Sequence, residues 1–413
     1  MAPQNMRTAL KRVEQNKGAA GVDGMTAKEL RPFLLTQWSS IKEALLGGTY
    51  QPQPVKRVEI PKATGGVRLL GIPTVLDRLI QQAVLQVLTP IFDPHFSPAS
   101  YGFRPGKRGH DAVRAARAYV REGYAWVVDL DLEKFFDRVN HDMLMARVAR
   151  KVSDKPLLGL IRRFLESGVL VGGLVSVTEE GTPQGGPLSP LLSNVVLDDL
   201  DKELERRGHK FVRYADDCNI YVRTRRSGER VKASVTAFLE TRLHLRINEG
   251  KSAVDRPWKR KFLGFTLYVK DERIQLAEAS VKRVKEKIRS LTQRSAGISQ
   301  AERIKQLNQY LGGWMGYFAL SELPSLFQEL DSWLRRRLRM CQWKQWKRTH
   351  TRVRELRALG LKEPEAWAAA GSRKSYWRIA SSPPLHKALS NAYWQARGLV
   401  ALADRYRAVR NAW

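Results

Sequence analysis

The hydrophobic pattern first predicts a β-hairpin followed by a helix. In residues 51–70, apolar and polar side chains alternate as in an extended strand, and Thr64-Gly65-Gly66 provides a turn. Apolar residues then recur at spacings of three and four between Val75 and Leu88, and Thr89-Pro90 follows them. This spacing predicts an amphipathic helix that ends at Thr89-Pro90.

Two further segments have the short apolar runs of buried strands, and both carry acids at their ends. Residues 126–131 end in Asp131, and residues 211–222 form two runs around a polar tip that contains Asp216 and Asp217. We expect these strands to form the central sheet. If they are neighbours, the three carboxylates converge at one edge of the sheet; the alternative is that Asp216-Asp217 is a solvated turn.

The converging acids predict a metal site. Carboxylates are costly away from water or a cation, and hard oxygen ligands in this number suit Mg²⁺. Two such ions about 4 Å apart can activate an attacking hydroxyl and stabilise a leaving pyrophosphate. Another acid, in Asn140-His141-Asp142, is instead interpreted as part of a helix cap.

The composition favours a nucleic acid partner. The 413 residues include 72 Lys and Arg against 41 Asp and Glu, a formal net charge of +31, and 11 Trp are interleaved with the cations. The alternative is a basic but solvated surface. Two cysteines are too few for a disulfide framework, and no run of 18 apolar residues would span a membrane, so we expect a soluble, cytoplasmic protein without a membrane partner.

The charge is concentrated near the end of the chain. From residue 281 to 413 there are 27 Lys and Arg against 9 Asp and Glu, a net charge of +18, together with eight of the Trp residues. Strand patterns also disappear beyond about Ala279. We therefore predict a boundary near residue 280 between an α/β part and an all-helical basic part, in which the Trp residues mainly pack and the cations contact RNA.

An ordered series of short motifs is similar to the bacterial group II intron-encoded reverse transcriptase and maturase family. Tyr214-Ala215-Asp216-Asp217 resembles the signature box of reverse transcriptases. The other matching motifs are Gly21-Val22-Asp23-Gly24, Ile60-Pro61-Lys62, Leu70-Gly71-Ile72-Pro73-Thr74, Tyr101-Gly102-Phe103-Arg104-Pro105-Gly106, residues 131–137, residues 181–190, residues 248–252, Phe262-Leu263-Gly264-Phe265 and residues 307–318. The resemblance covers nearly the whole chain. Because the chain shows no nuclease pattern, it most resembles the class C branch of the family.

The resemblance implies a right-hand polymerase fold of the mixed α/β (α+β) class. Residues 1–120 would form an N-terminal extension and fingers with part of the palm, and residues 121–280 the catalytic palm. Residues 281–363 would form the thumb or maturase domain, and residues 364–413 a DNA-binding region. We expect the all-helical regions to follow the α/β part of the chain.

The resemblance also implies the catalytic residues. Asp131, Asp216 and Asp217 would be the ligands of two Mg²⁺ ions. Phe136 would pack under the sugar of the incoming nucleotide and exclude a 2′ hydroxyl; the alternative is a core aromatic beside Phe135.

Further positions are implied to bind the substrates. Lys62 and Arg68 would lie over the triphosphate, and Gln184 would meet the sugar and base of the nucleotide. Lys251 and Gly264 would hold the primer end. A solvated basic loop is the alternative for Lys62 and Arg68.

The implied function is RNA-directed DNA polymerase activity of a group II intron protein. Its partners would be the intron RNA, which it helps to splice and uses as template, a DNA primer or target, and deoxynucleoside triphosphates; we expect it at the nucleoid or in a ribonucleoprotein. Two alternatives stay open. One is a free-standing reverse transcriptase of the same origin in DNA repair or phage defence, and the other is an RNA-binding splicing cofactor without polymerase activity.

Overall fold

The computed structural model describes residues 2–61, 66–171, 174–176, 180–182 and 185–412. The chain forms two compact units, residues 1–257 and 258–413. Within the described residues, no helix has the length and apolar character needed to cross a membrane.

The first unit combines helices with two four-stranded sheets. Its helices are α1 (Pro3–Asn16), α2 (Leu30–Leu46), α3 (Val75–Phe92), α4 (Gly109–Arg121), α5 (Phe135–Arg138), α6 (His141–Ala149), α7 (Lys155–Glu166), α8 (Ser189–Arg206) and α9 (Arg225–Arg242). Its strands are β1 (Val55–Pro61), β2 (Val67–Ile72), β3 (Trp126–Leu130), β4 (Val169–Val171), β5 (Leu174–Ser176), β6 (Lys210–Tyr214), β7 (Asp217–Val222) and β8 (Ala253–Asp255).

The central sheet has the strand order β6-β7-β3-β8, and the other sheet has the order β2-β1-β4-β5. In the central sheet β7 is antiparallel to both β6 and β3. The predicted strands are therefore neighbours, which is the condition under which the three acids converge at one edge of the sheet. The alternating residues Val128, Leu130 and Ile220 belong to the main hydrophobic core, which also takes in α3, α6, α7, α8 and α9.

The predicted hairpin is also confirmed, because β1 pairs antiparallel with β2. The predicted end of α3 was wrong: the helix continues through Pro90 to Phe92. Leu88 and Phe92 lie one turn apart on the same face, and both are buried. Burial of Phe92 favours the extra turn and outweighs the loss of one backbone hydrogen bond at Pro90, which has no N–H.

The second unit is helical apart from a short β-hairpin formed by β9 (Phe265–Leu267) and β10 (Ile274–Leu276). Its helices are α10 (Glu278–Leu291), α11 (Gln300–Phe318), α12 (Ser325–Gln345), α13 (Thr349–Ala358), α14 (Glu363–Ala370), α15 (Tyr376–Ile379), α16 (Pro383–Ala388), α17 (Asn391–Ala396) and α18 (Leu402–Asn411). The predicted change from strands to helices near residue 280 therefore occurs at α10. The assignment of the Trp residues to packing holds for Trp343, Trp346 and Trp394, which are buried in one core.

Candidate active site

The tip of the β6–β7 hairpin is a tight two-residue turn. Tyr214 pairs with Asp217, so Ala215 and Asp216 form the turn itself. Ala215 has a φ of 58°, a conformation that is rare for a residue with a side chain and costs about 1–3 kcal/mol. Neighbouring segments must therefore hold this turn in place.

One of these segments is the loop around Gly102. The amide of Tyr101 donates to the Arg213 carbonyl at 2.8 Å, and the amide of Arg213 donates to the Ala99 carbonyl at 2.9 Å. A Cβ atom on Gly102 would lie 2.2 Å from the Ala215 nitrogen. Only glycine lets the loop backbone lie directly against the turn.

The side chain of Arg213 is the second restraint on the turn. It is fully buried and forms a two-bonded ion pair with Asp201, with N–O distances of 2.7 and 2.6 Å. The same guanidinium donates to the Ala215 carbonyl at 2.8 Å, to Asn194 Oδ1 at 3.0 Å and to Ser100 Oγ at 2.8 Å. Asn194 in turn donates to the Gly102 carbonyl at 2.9 Å. The turn, the Gly102 loop and α8 are thus joined through one cation.

The catalytic candidates Asp131, Asp216 and Asp217 lie at this end of the central sheet. The β3–β7 register ends with Leu130 opposite Cys218, and the residues that come next at this end of the two strands are Asp131 and Asp217. Burial and then the charge of Asp131 raise the pKa of the Asp216 carboxyl, while Arg68 and Lys251 act against the rise. The strand register thus brings Asp131 to the end of the sheet where Asp216 lies in the turn, and Asp217 is exposed beside that turn.

Lys251 binds one of these acids directly. Its Nζ lies 3.3 Å from both carboxylate oxygens of Asp131. The backbone around Asp131 is fixed as well, because its amide donates to Ser252 Oγ at 3.0 Å and its carbonyl accepts from the Asn248 amide at 2.7 Å. The motif of residues 248–252 therefore holds Asp131 in position.

The acids fit a divalent ion whose remaining ligands come from outside the protein. Among the described residues, no group of three or more His, Cys, Asp or Glu side chains is arranged to hold a metal by itself. Mg²⁺ commonly takes one or two carboxylates and completes its shell with water and substrate phosphates. The neighbouring carboxylates of Asp131 and Asp216, with the raised pKa of Asp216, provide such a partial set.

Phe136 lines a cavity of about 320 Å³. Leu70, Gly71, Lys134 and Thr182 also line this cavity. The ring is half-buried and packs edge-on against Phe135 at 5.2 Å between centroids. The Thr182 amide donates to the Phe136 carbonyl at 2.6 Å. Phe136 thus contributes both to the core and to the wall of the cavity.

The backbone at Gly181 and at Gly185 passes close to neighbouring segments of the protein. Gly181 has a φ of 95°, and a Cβ there would lie 2.8 Å from the Phe136 carbonyl oxygen. A Cβ on Gly185 would lie 2.5 Å from the Gly71 carbonyl oxygen. The Gly181 carbonyl is 2.6 Å from His141 Nε2. His141 is thus a buried structural residue, and Asn140 caps α6 through the Met143 amide, as predicted.

The remaining predicted positions are divided between the two units. Arg68 is exposed on β2, and its charge acts on Asp216. Gly264 belongs to the second unit, where it has a φ of 84° in a tight turn and its carbonyl accepts from Ser280 Oγ at 2.9 Å. Lys62 and Gln184 lie outside the described residues.

Sequence reasoning missed the residues that hold the turn, namely Arg213, Asp201 and Asn194. A signal was present, because Arg213 is a charged residue that directly follows the apolar pair Phe211 and Val212 in β6. A buried guanidinium requires an acid partner, and the sequence offers no way to choose Asp201 among the acids of α8.

Comparisons with known proteins agree with this geometry. Residues 60–267 match the family described as "Reverse transcriptase (RNA-dependent DNA polymerase)", and residues 281–360 match "Group II intron, maturase-specific domain". Protein YkfC of Escherichia coli (strain K12) is 33% identical over 292 residues, which cover 61% of this chain and 77% of YkfC.

Group II intron-encoded protein LtrA of Lactococcus lactis subsp. cremoris is 37% identical over 214 residues, which cover 52% of this chain and 35% of LtrA. Thus the match spans about a third of LtrA. Among solved structures, a chain of a partial Cas6-RT-Cas1–Cas2 complex is 29% identical and has a TM-score of 0.38, with 58% of this chain and 41% of that chain covered.

The chain therefore belongs to the reverse transcriptase family, whose members are RNA-dependent DNA polymerases that generally require a divalent metal ion. Within that family it groups with the proteins encoded by group II introns, because it also carries their maturase-specific domain. The predicted family and polymerase fold class are confirmed. Both domains imply binding of an RNA template. The division at residues 120, 280 and 363 and the roles of individual site residues stay predictions.

The contact between Gly102 and the turn predicts a loss of activity in Gly102→Ala. Because a Cβ would lie 2.2 Å from the Ala215 nitrogen, the turn must shift, and a misplacement of about 1 Å can reduce the rate about a hundredfold. Primer extension on an RNA template measures the effect. Gly159→Ala on α7 is the control, since its added methyl group meets only the end of Arg163 at 3.7 Å. Equal activity of the two variants would contradict the proposed restraint.

The buried ion pair predicts that Arg213→Met destabilises the first unit by about 3–5 kcal/mol, since Asp201 is left buried without its partner. Urea denaturation followed by circular dichroism measures this change. The control Arg225→Met removes an exposed pair with Glu229 and should cost at most about 1 kcal/mol. Similar losses in both variants would show that burial of the Arg213 pair is irrelevant.

Proposed function

We propose that the protein copies group II intron RNA into DNA from a DNA primer during retrohoming, and that it binds the same RNA to assist splicing. The observation that carries the polymerase activity is the approach of Asp131 and Asp216 at the restrained hairpin tip, beside the cations Arg68 and Lys251. The maturase-specific match supports the splicing role.

In the proposed reaction the acids hold magnesium and the cations hold the nucleotide. Two Mg²⁺ ions bound by Asp131, Asp216 and Asp217 would supply activation of the primer 3′ hydroxyl and stabilisation of the leaving pyrophosphate. Arg68 and Lys62 neutralise charge on the triphosphate.

The sugar and the primer end are positioned by other residues. Phe136 packs under the sugar of the nucleotide and its ring excludes a 2′ hydroxyl, while Gln184 meets the sugar and base. Lys251, which binds Asp131, and Gly264 of the second unit hold the primer end. With these roles, the substrate is a deoxynucleoside triphosphate. The bound product is an RNA–DNA duplex.

The second unit binds RNA through its exposed cations, with residues 364–413 contacting the DNA target. Arg289 is exposed and stacks on Trp333 with its guanidinium carbon 5.5 Å from the ring centroid, an arrangement that holds this cation at the surface. The protein acts in the bacterial cytoplasm as a ribonucleoprotein at the nucleoid.

The first test of this function is Asp216→Asn, which removes one carboxylate of the metal site. Primer extension on an RNA template with Mg²⁺ should fall at least about a hundredfold, since metal stabilisation of the transition state is worth several kcal/mol. Asp142→Asn is the control, because Asp142 is an exposed acid of the same unit paired with Arg162. Full activity of Asp216→Asn would reject the metal site.

The second test is Phe136→Ala, which removes the ring beside the cavity. Incorporation of ribonucleotides relative to deoxynucleotides should rise at least about tenfold, because the steric penalty on the 2′ hydroxyl is lost. Phe136→Tyr retains the ring and should keep the discrimination of the unchanged protein. If the ratio of the two incorporation rates is the same in all three proteins, Phe136 is a core aromatic only.

A further inference from the structure

A concave group of cations on the first unit lies outside the active site. Its cations, here called the basic patch, are Arg147, Arg150, Lys202, Arg206 and Arg242. They line a cavity of about 430 Å³ formed by α6, α8 and α9. The same cavity is lined by two acids, Asp199 and Glu203, so its described walls carry an excess of three positive charges.

Both acids are engaged by arginines. Asp199 accepts from Arg147 Nε and Arg150 Nη1, each at 2.8 Å. Glu203 accepts from Arg206 at 2.7 and 2.8 Å. These hydrogen bonds, with a smaller contribution from Arg207, lower the pKa of Glu203 to about 2 against the opposing effect of desolvation. The acids therefore fix the direction of the guanidinium groups, and each guanidinium has five N–H donors, more than these bonds use.

The excess charge remains in contact with solvent. The side chains of Arg206, Arg150 and Lys202 are 70%, 60% and 52% exposed. Lys202 is paired with Asp198, whereas Arg150 and Arg206 keep N–H donors beyond those that Asp199 and Glu203 use. An external polyanion can bind these donors.

The patch faces away from the catalytic acids. A Cβ on Gly228 of α9 would lie 3.6 Å from Val128 Cγ2 and 3.3 Å from Val222 Cγ2, so α9 covers the sheet face that carries these valines. Side chains alternate along β3, and Asp129 and Asp131 therefore belong to the opposite face. A ligand of the basic patch is thus separated from the primer end by the sheet and its helices.

We propose that the basic patch binds the phosphate backbone of folded RNA, at a site separate from the primer–template duplex. Guanidinium groups held by carboxylates present paired N–H donors that match phosphate oxygens, whereas a flat layer of flexible lysines would suit a charged membrane surface. The concave shape and the spacing of cations on three helices fit a folded strand. This inference rests on the proposed binding of intron RNA, and it assigns part of that binding to the first unit.

The experiment compares two triple variants in binding a folded group II intron transcript. The patch variant is Lys202→Gln, Arg206→Gln and Arg242→Gln. The control variant, Arg225→Gln, Arg226→Gln and Arg230→Gln, removes the same charge from the other end of α9. Removing three phosphate contacts should weaken binding at least about tenfold at 0.1 M salt and reduce the salt slope by about 3. The control variant should change the affinity and the salt slope less than the patch variant does.

Two additional measurements separate this proposal from the polymerase function. Extension of a short primer–template should be unchanged in the patch variant, because that substrate does not reach the patch. The folded RNA should protect Lys202 from an amine-acylating reagent, and the short duplex should not. Equal weakening in both triple variants would mean that only net charge matters. Protection of Lys202 by polyglutamate but not by RNA would assign the patch to an acidic protein, and either result would overturn the inference.

Discussion

The buried contact between Arg213 and Asp201 is the interaction on which the catalytic tip depends. The hairpin turn contains Ala215 with a positive φ, and its backbone would relax if the surrounding segments did not hold it. Arg213 joins that turn to α8 through Asp201 and Asn194 and to the Gly102 loop through Ser100. Because one charge satisfies all of these groups, loss of any partner leaves a buried polar group unpaired.

This arrangement holds the acids rigidly, whereas the cations that face them can change position. Asp216 follows the fixed Ala215, and Asp131 is held by backbone bonds to residues 248 and 252. The cations that face them, Arg68 and Lys251, are exposed and lie on the edge of a hairpin and in a turn. Fixed acids with adjustable cations suit a site in which the substrate's phosphates enter and leave at each step.

The sequence predicted the parts of the site that follow from local pattern. The apolar runs in residues 126–131 and 211–222 were enough to predict strands of the central sheet. That these strands are neighbours, with Asp131 and Asp216 at one edge, is a result of the structure. The role of Arg213 could not be predicted, because its partners come from segments more than ten residues away and depend on the packing of α8. The predicted end of α3 was wrong for a similar reason, because burial of Phe92 outweighs the local signal of Pro90. Lys62 and Gln184 were identified only by resemblance.

Buried and exposed cations must be distinguished before the net charge of the chain is related to RNA binding. In the second unit Arg303 and Arg339 are buried, and they donate to backbone carbonyls of Leu291 and Ala380 at helix ends. Burial lowers the pKa of Arg339 to about 10, which reflects the cost of keeping this cation away from water. Such arginines stabilise the helical fold and release no counterions from RNA. The net charge of +31 therefore does not by itself give the number of cations available to phosphates, because buried arginines such as Arg303 and Arg339 contribute to it without reaching a ligand.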